Sequence, residues 1–178
     1  NKTQIAATTD SLTGALNRVA YKKDVAVFDE EKPTKFNCVY IDVNELHLCN
    51  NKYGHAAGDE MLVYIANTLK EVFCDCKIYR MGGDEFLVFC QNYEHEEIKK
   101  AVEVVFDQLK PRNYHIAVGL SYREQNFNTE DMVKEAEVRM YEAKAKYYQN
   151  KEIDIVNSAS KKEYLQVQTG ILEIDTML

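Results

Sequence analysis

The stretch Arg80-Met81-Gly82-Gly83-Asp84-Glu85-Phe86 constrains the fold more than any other part of the chain. Ile78 and Tyr79 precede it and Phe86-Leu87-Val88-Phe89 follows, so two β-type runs flank a pair of glycines. This pattern predicts a tight hairpin in which both glycines take positive φ without a Cβ penalty. A hairpin needs only the turn, yet Asp84 and Glu85 stand at its exit. Consecutive strand residues point to opposite faces, so one carboxylate can face a ligand while the other packs beside it. Acids beside a turn can equally be solvated, and the pentapeptide alone leaves the two readings level.

The flanking sequence supplies the elements for such a hairpin to join. Asn17 is placed to cap a helix from Arg18 to about Phe28. Phe36 to Val43 is β-branched and aromatic, which predicts a buried strand with Asp42 near its end. Residues 44–59 read as polar and irregular, with a short helix over about 44–52. Helical spacing begins at Glu60 and runs through Met61, Leu62, Ile65, Leu69 and Val72. An amphipathic helix spans Glu96 to Leu109, a strand His115 to Ser121, and a helix Thr129 to about Lys146. Ile153 to Val156 reads as a short fifth strand, and the following tail as partly helical, weakened by Gly170. The expected fold is α+β, a ferredoxin-like core with a central mixed five-stranded sheet flanked by helices. The expected segments are a lead-in at 1–9, one domain at 10–156 and a tail at 157–178.

Composition narrows the classes of partner. The 178 residues suit one domain. A net charge of −7, with pI near 5.2, gives no basic surface for nucleic acid. A small anionic ligand remains compatible if lysines or metal ions neutralise it locally. No apolar run approaches the roughly 20 residues of a membrane helix, and no leader-like segment opens the chain. Of the five cysteines, Cys38 and Cys90 lie in apolar strand-like runs and read as small core residues. Cys74-Asp75-Cys76 is too close for an ordinary disulfide and lacks a second pair for zinc. These features predict a reducing, cytoplasmic compartment. Because the sequence opens at Asn1 rather than Met, a longer parent protein is expected.

Two groups of residues carry candidate chemistry. If the strands ending at Asp42 and beginning at Asp84 are neighbours, their carboxylates form a hard-oxygen site suited to Mg²⁺ and hence to phosphate. Two unrelated surface acids are the competing reading. Asn50, His55 and Asp59 surround Gly54 and Gly58. A carboxylate accepting from N1–H and N2–H₂, helped by an amide, reads guanine and not adenine. Turn and capping roles account for Asn50, Asn51 and Asp59 equally well.

Five separated motifs occur in order: Asp10–Arg18 (DSLTGALNR), Tyr40–Leu46 (YIDVNEL), Asn50–Leu62 (NNKYGHAAGDEML), Arg80–Phe86 (RMGGDEF) and Glu135–Lys144 (EAEVRMYEAK). With these the chain resembles the GGDEF domain, the catalytic domain of diguanylate cyclases, over about residues 8–156. The resemblance implies a nucleotidyl-cyclase palm that joins two GTP molecules into cyclic di-GMP. It implies a homodimer in which each 3′-hydroxyl attacks the partner's α-phosphate. It further implies Mg²⁺, with Mn²⁺ as an alternative, held by Asp42, Asp84 and the carbonyl of Val43. Asp84 would accept the proton and Glu85 would assist. Asn50, His55 and Asp59 would bind substrate, with Asn50 and Asp59 at the guanine, and Lys144 would reach the triphosphate.

The chain departs from the family pattern at several of these positions. Leu46-His47 replaces Phe-Lys, so His47 stands where a lysine stabilises transition-state charge, and Asn44 replaces an aspartate. After Lys144 the usual Gly-Arg-Asn is absent, and Tyr147-Tyr148-Gln149-Asn150 stands in the stretch that follows. Each lost charge-assisted hydrogen bond is worth roughly 1.5–3 kcal/mol, so slow turnover is expected. Phe73-Cys74-Asp75-Cys76 does not match the family's Arg-x-x-Asp product-inhibition motif, which predicts no feedback site there. The alternatives are a regulatory domain that binds GTP without turnover and an interaction domain without nucleotide affinity. An upstream domain is expected to drive dimerisation, leaving the isolated chain mainly monomeric.

Overall fold

The computed structural model describes residues 7–175. The expected lead-in at 1–9 therefore lies largely outside the described residues. Two compact units divide the chain, Asn1–Lys144 and Ala145–Leu178. Helix α1 (Arg18–Glu31) leads to strand β1 (Phe36–Val43), then helices α2 (Leu46–Tyr53) and α3 (His55–Val72). Strands β2 (Lys77–Arg80) and β3 (Glu85–Cys90) follow, then helix α4 (His95–Leu109), a 3₁₀ turn (Lys110–Arg112), strand β4 (Ile116–Arg123) and helix α5 (Thr129–Asp175).

The sheet order is β2-β3-β1-β4. All three strand pairings are antiparallel. This is the ferredoxin-like order, but the sheet is neither mixed nor five-stranded among the described residues. The crossover from β1 through α2 and α3 leaves a gap beside β1, and β3 fills it running antiparallel to both neighbours. A parallel contact survives as the isolated bridge between Leu16 and Tyr79 at the outer edge of β2. The expected strand at Ile153–Val156 is helical instead. No glycine or proline interrupts α5 between Thr129 and Gly170, and Ile153, Ile155 and Val156 are exposed rather than paired.

β1 is buried along all eight residues, because helices cover both faces of the sheet. Val39, Ile41 and Val43 face Ile65 and Leu69 of α3 and Val105 of α4. Cys38 and Tyr40 join Phe28 of α1 and Met132, Ala136 and Met140 of α5 on the other side. Asp42 follows the even-numbered alternation, which directs its carboxylate toward α5. α5 can lie this close because β4 carries Gly119. A Cβ there would come 1.9 Å from the carbonyl oxygen of Ala136 and 2.4 Å from the amide of Met140.

The register also corrects the reading of the cysteines. Lys77 pairs with Phe89, so Cys76 stands opposite Cys90, and the two are joined by a disulfide. Cys90 is therefore a bonded residue and not a simple core thiol. Cys38, Cys49 and Cys74 are free.

Candidate functional site

The hairpin turn is built differently from the expected tight turn. Neither Gly82 nor Gly83 has positive φ; among the glycines, Gly14 and Gly54 do. The Met81 amide donates to the Glu85 carbonyl at 2.8 Å, closing a wider loop. A Cβ on Gly82 would come 3.2 Å from Oε2 of Glu85, a tight contact to which the end of that side chain would have to yield. Three side chains brace the turn from outside. Arg80 donates to the Gly83 carbonyl at 2.7 Å and pairs with Asp10 at 3.1 Å. Arg18 donates to the Met81 carbonyl at 3.0 Å. Burial pushes the Asp10 carboxyl up, but bonds from the Thr13 hydroxyl and amide and from Arg80 outweigh it and hold it below its ordinary value. Asp10, Arg18 and Arg80 belong to the sequence motifs, but their bracing role emerges only from the fold. The signal available was an arginine beside each of two turn motifs.

Asp42 and the hairpin acids converge. Asp42 pairs with Glu85 in the β1–β3 register, and the Val43 amide donates to the Asp84 carbonyl at 2.8 Å. Asp42 is 2% exposed. Its carboxyl is pushed above the ordinary range by burial, and Asp84 adds to the rise while Lys144 opposes it. Glu85 is pushed up as well, by burial and then by Asp42 and Asp84. Tyr40 lies 3.3 Å from Oε2 of Glu85 and donates to it. Lys144 reaches the cluster from α5 and pairs with Oδ1 of Asp42 at 2.9 Å.

These carboxylates suit a divalent ion. Two of them are raised, by burial first and then by neighbouring carboxylates, and a cation would offset both. Among the described residues no group of three or more His, Cys, Asp or Glu side chains is arranged around one point. An ion here would take one or two carboxylates and complete its shell with phosphate oxygens and water, as Mg²⁺ does.

The short helix expected over about 44–52 is α2. The remainder of the segment 44–59, expected to be irregular, opens α3 at His55, five residues before the expected start at Glu60, and the two helices are broken at Gly54. Gly54 links them with φ of 90°, a conformation that side chains other than glycine rarely adopt. The break folds α3 back against α2, so that Gly58 faces Asn50. A Cβ on Gly58 would come 1.8 Å from Oδ1 of Asn50. That oxygen is buried and has no hydrogen-bond partner among the described residues. Both side-chain polar atoms of Asn44 share this condition. Asp59 is exposed beside Gly58 on α3. His47 on α2 and His55 at the start of α3 are exposed as well. The site thus has two parts, a carboxylate and lysine cluster at the end of the sheet and an amide held between two helices.

Comparisons with known proteins agree with this architecture. The family described as "Diguanylate cyclase, GGDEF domain" matches residues 7–150. The chain is similar to cyclic di-GMP phosphodiesterase PdeB of Shewanella oneidensis, at 31% identity over 154 residues, covering 80% of this chain and 18% of that protein. It is similar to the probable diguanylate cyclase DgcI of Escherichia coli, at 30% identity over 138 residues, covering 76% of this chain and 30% of that protein. The chain therefore spans less than a third of the length of these relatives. Among solved structures, the coiled coil and GGDEF domain of DgcB from Caulobacter crescentus, in complex with c-di-GMP, aligns with a TM-score of 0.73 at 20% identity, covering 81% of this chain and 84% of that one. A microbial GGDEF domain described for its interaction with cyclic di-GMP aligns with a TM-score of 0.71 at 27% identity, covering 81% and 94%. By its matched profile, and with a fold to agree, this chain belongs to the GGDEF diguanylate cyclase family.

Proposed function

We propose that this domain joins two GTP molecules into cyclic di-GMP, with one nucleotide held by each of two facing copies. The observation that carries the reading is the convergence of Asp42 with Asp84 and Glu85 at one end of the sheet, with Lys144 at Asp42. In each copy a 3′-hydroxyl oxygen bonds to the partner's α-phosphorus and pyrophosphate leaves, so two GTP give one cyclic product and two pyrophosphates. Asp84 accepts the hydroxyl proton and Glu85 assists. Asp42, Asp84 and the carbonyl of Val43 would hold Mg²⁺ or Mn²⁺. Bound there, the ion supplies charge neutralisation for the phosphate oxygens. Lys144 adds positive charge beside the same carboxylates. Asn50 and Asp59 bind the guanine edge, with His55 nearby on α3. The Asn50 oxygen, which has no hydrogen-bond partner among the described residues, supports this assignment, because a guanine could supply the missing donor. His47 takes the place of a lysine and, with its shorter side chain, gives slow turnover. The compartment is cytoplasmic in this reading; among the described residues, no helix is long and apolar enough to cross a membrane.

The test is to force the chain into a dimer through a fused coiled coil, add GTP and Mg²⁺, and separate the products by chromatography. Cyclic di-GMP is the expected product. GTP binding without any product would overturn the cyclase reading in favour of a regulatory nucleotide-binding domain.

A further inference from the structure

The disulfide between Cys76 and Cys90 closes the open end of the hairpin whose other end carries the turn at Gly82-Gly83. With it, residues 76–90 form one covalent ring that includes Arg80, Asp84 and Glu85. β2 needs such an anchor. It has four residues, lies at the edge of the sheet, and pairs with β3 on one side and with Leu16 through a single bridge on the other. Arg80, which braces the turn through Gly83 and Asp10, is the last residue of this strand.

The two cysteines differ in access. Cys90 is completely buried. Cys76 is half-buried and lines a cavity of about 110 Å³, together with Val72, Phe73, Cys74, Asp75 and Tyr93, whereas Cys90 is not among the lining residues. A small thiol entering from solvent therefore meets Cys76 and not Cys90. Exchange depends on access and on which sulfur is attacked, and this arrangement gives a single point of attack and a shielded leaving group. A disulfide inside a reducing compartment, the one proposed above, is characteristically transient or redox-sensing.

We propose that Cys76–Cys90 is a reversible thiol–disulfide exchange site that controls how firmly β2 holds the Asp84–Glu85 turn. In the reducing direction, the thiolate of a small thiol attacks Sγ of Cys76. The Cys76–Cys90 bond breaks, and Cys90 leaves as a thiolate and takes up a proton. A second thiolate then attacks the mixed disulfide, returning the Cys76 thiol and releasing the reagent as its own disulfide. The oxidised form of the same reagent drives the reverse reaction. The effect on turnover rests on the cyclase reading; the exchange itself does not.

The test uses the whole chain, equilibrated under native conditions with glutathione at varied ratios of thiol to disulfide, then alkylated in denaturant. Three of the five cysteines are expected to react in the oxidised state and all five in the reduced state, interconverting reversibly. Amide exchange at Ile78, Tyr79 and Arg80 is expected to quicken by about tenfold on reduction. Cyclic di-GMP formation by a forced dimer should fall by about threefold on reduction, through the loosened turn. In amide exchange and turnover Cys76→Ala should behave as the reduced protein in every condition, with four reactive cysteines at every ratio, and Cys74→Ser should respond as the parent does, with two reactive cysteines oxidised and four reduced. A bond that persists in excess reduced glutathione, five reactive cysteines at every ratio, or amide exchange in β2 indifferent to reduction would each overturn the proposal. If no product forms in either state while thiol counts and amide exchange respond as expected, the exchange site stands and the cyclase reading falls.

Discussion

Gly58→Ala separates nucleotide binding from folding in one substitution. The added Cβ would lie 1.8 Å from Oδ1 and 2.8 Å from Cγ of Asn50. Non-bonded heavy atoms are comfortable at about 3.5 Å, so the amide must retreat by roughly 1.5 Å or turn away. Within a helix, alanine is favoured over glycine by about 1 kcal/mol, which offsets part of the crowding. The fold should therefore survive with a small change in stability. With Asn50 at the base as proposed, the nucleotide would lose a hydrogen bond and its guanine would keep an unpaired donor, a cost of roughly 1–3 kcal/mol, or about 5- to 150-fold in Kd. Calorimetric titration of GTP with Mg²⁺ measures the affinity, and thermal unfolding measures the fold. Asn50→Ala should weaken GTP binding alone, and Gly58→Ala should then add nothing on that background, because the group it displaces is gone. A Gly58→Ala protein that unfolds like the parent and binds GTP within about twofold of it would refute the assignment of Asn50 to the base.

Two further predictions concern stability. Burial, then Asp42 and Asp84, raise the Glu85 carboxyl in the folded state, so folded protein holds that proton to higher pH than unfolded protein does. Stability contributed by this group is lost as pH rises from the ordinary carboxylate value through the raised one. Glu85→Gln removes that loss, so the variant should gain in thermal midpoint over the parent near neutral pH and gain nothing below about pH 4; a difference independent of pH would contradict this. Gly119→Ala drives a Cβ into backbone atoms of Ala136 and Met140 that no side-chain rotation can move aside. Urea denaturation should show a loss of about 3 kcal/mol or more, and an unchanged midpoint would mean that α5 shifts freely over β4.

Local chemistry made several features legible in the sequence. Asn17 caps α1 by accepting from the amides of Val19 and Ala20, as its position before Arg18 predicted. The unbroken apolar character of Phe36–Val43 announced a strand covered on both faces. The meeting of Asp42 with the hairpin acids followed from their places at two strand ends. What escaped reading depended on contacts between distant segments or on one backbone angle. The turn of Gly54 made two helices from a stretch rich in polar residues. The alternation at Ile153–Val156 imitated a strand, but among the described residues no strand pairs with it and the helix simply continues. Cys76 and Cys90 could be matched only once the β2–β3 register was known. Gly119 looked like any glycine in a strand until α5 was seen above it.

The unequal anchoring of β1 and α2 has a consequence for how this domain can change. β1 buries every residue, whereas α2 has no fully buried side chain. Substitutions around Asp42 will be limited by what the core can hold, and many will be lost as misfolded protein. Substitutions at the exposed positions of α2, among them His47, Leu48 and Asn51, meet a weaker filter, so the nucleotide contacts proposed for this region are open to retuning one residue at a time. Affinity and base preference can therefore drift in this domain while the carboxylates that would carry the reaction stay fixed.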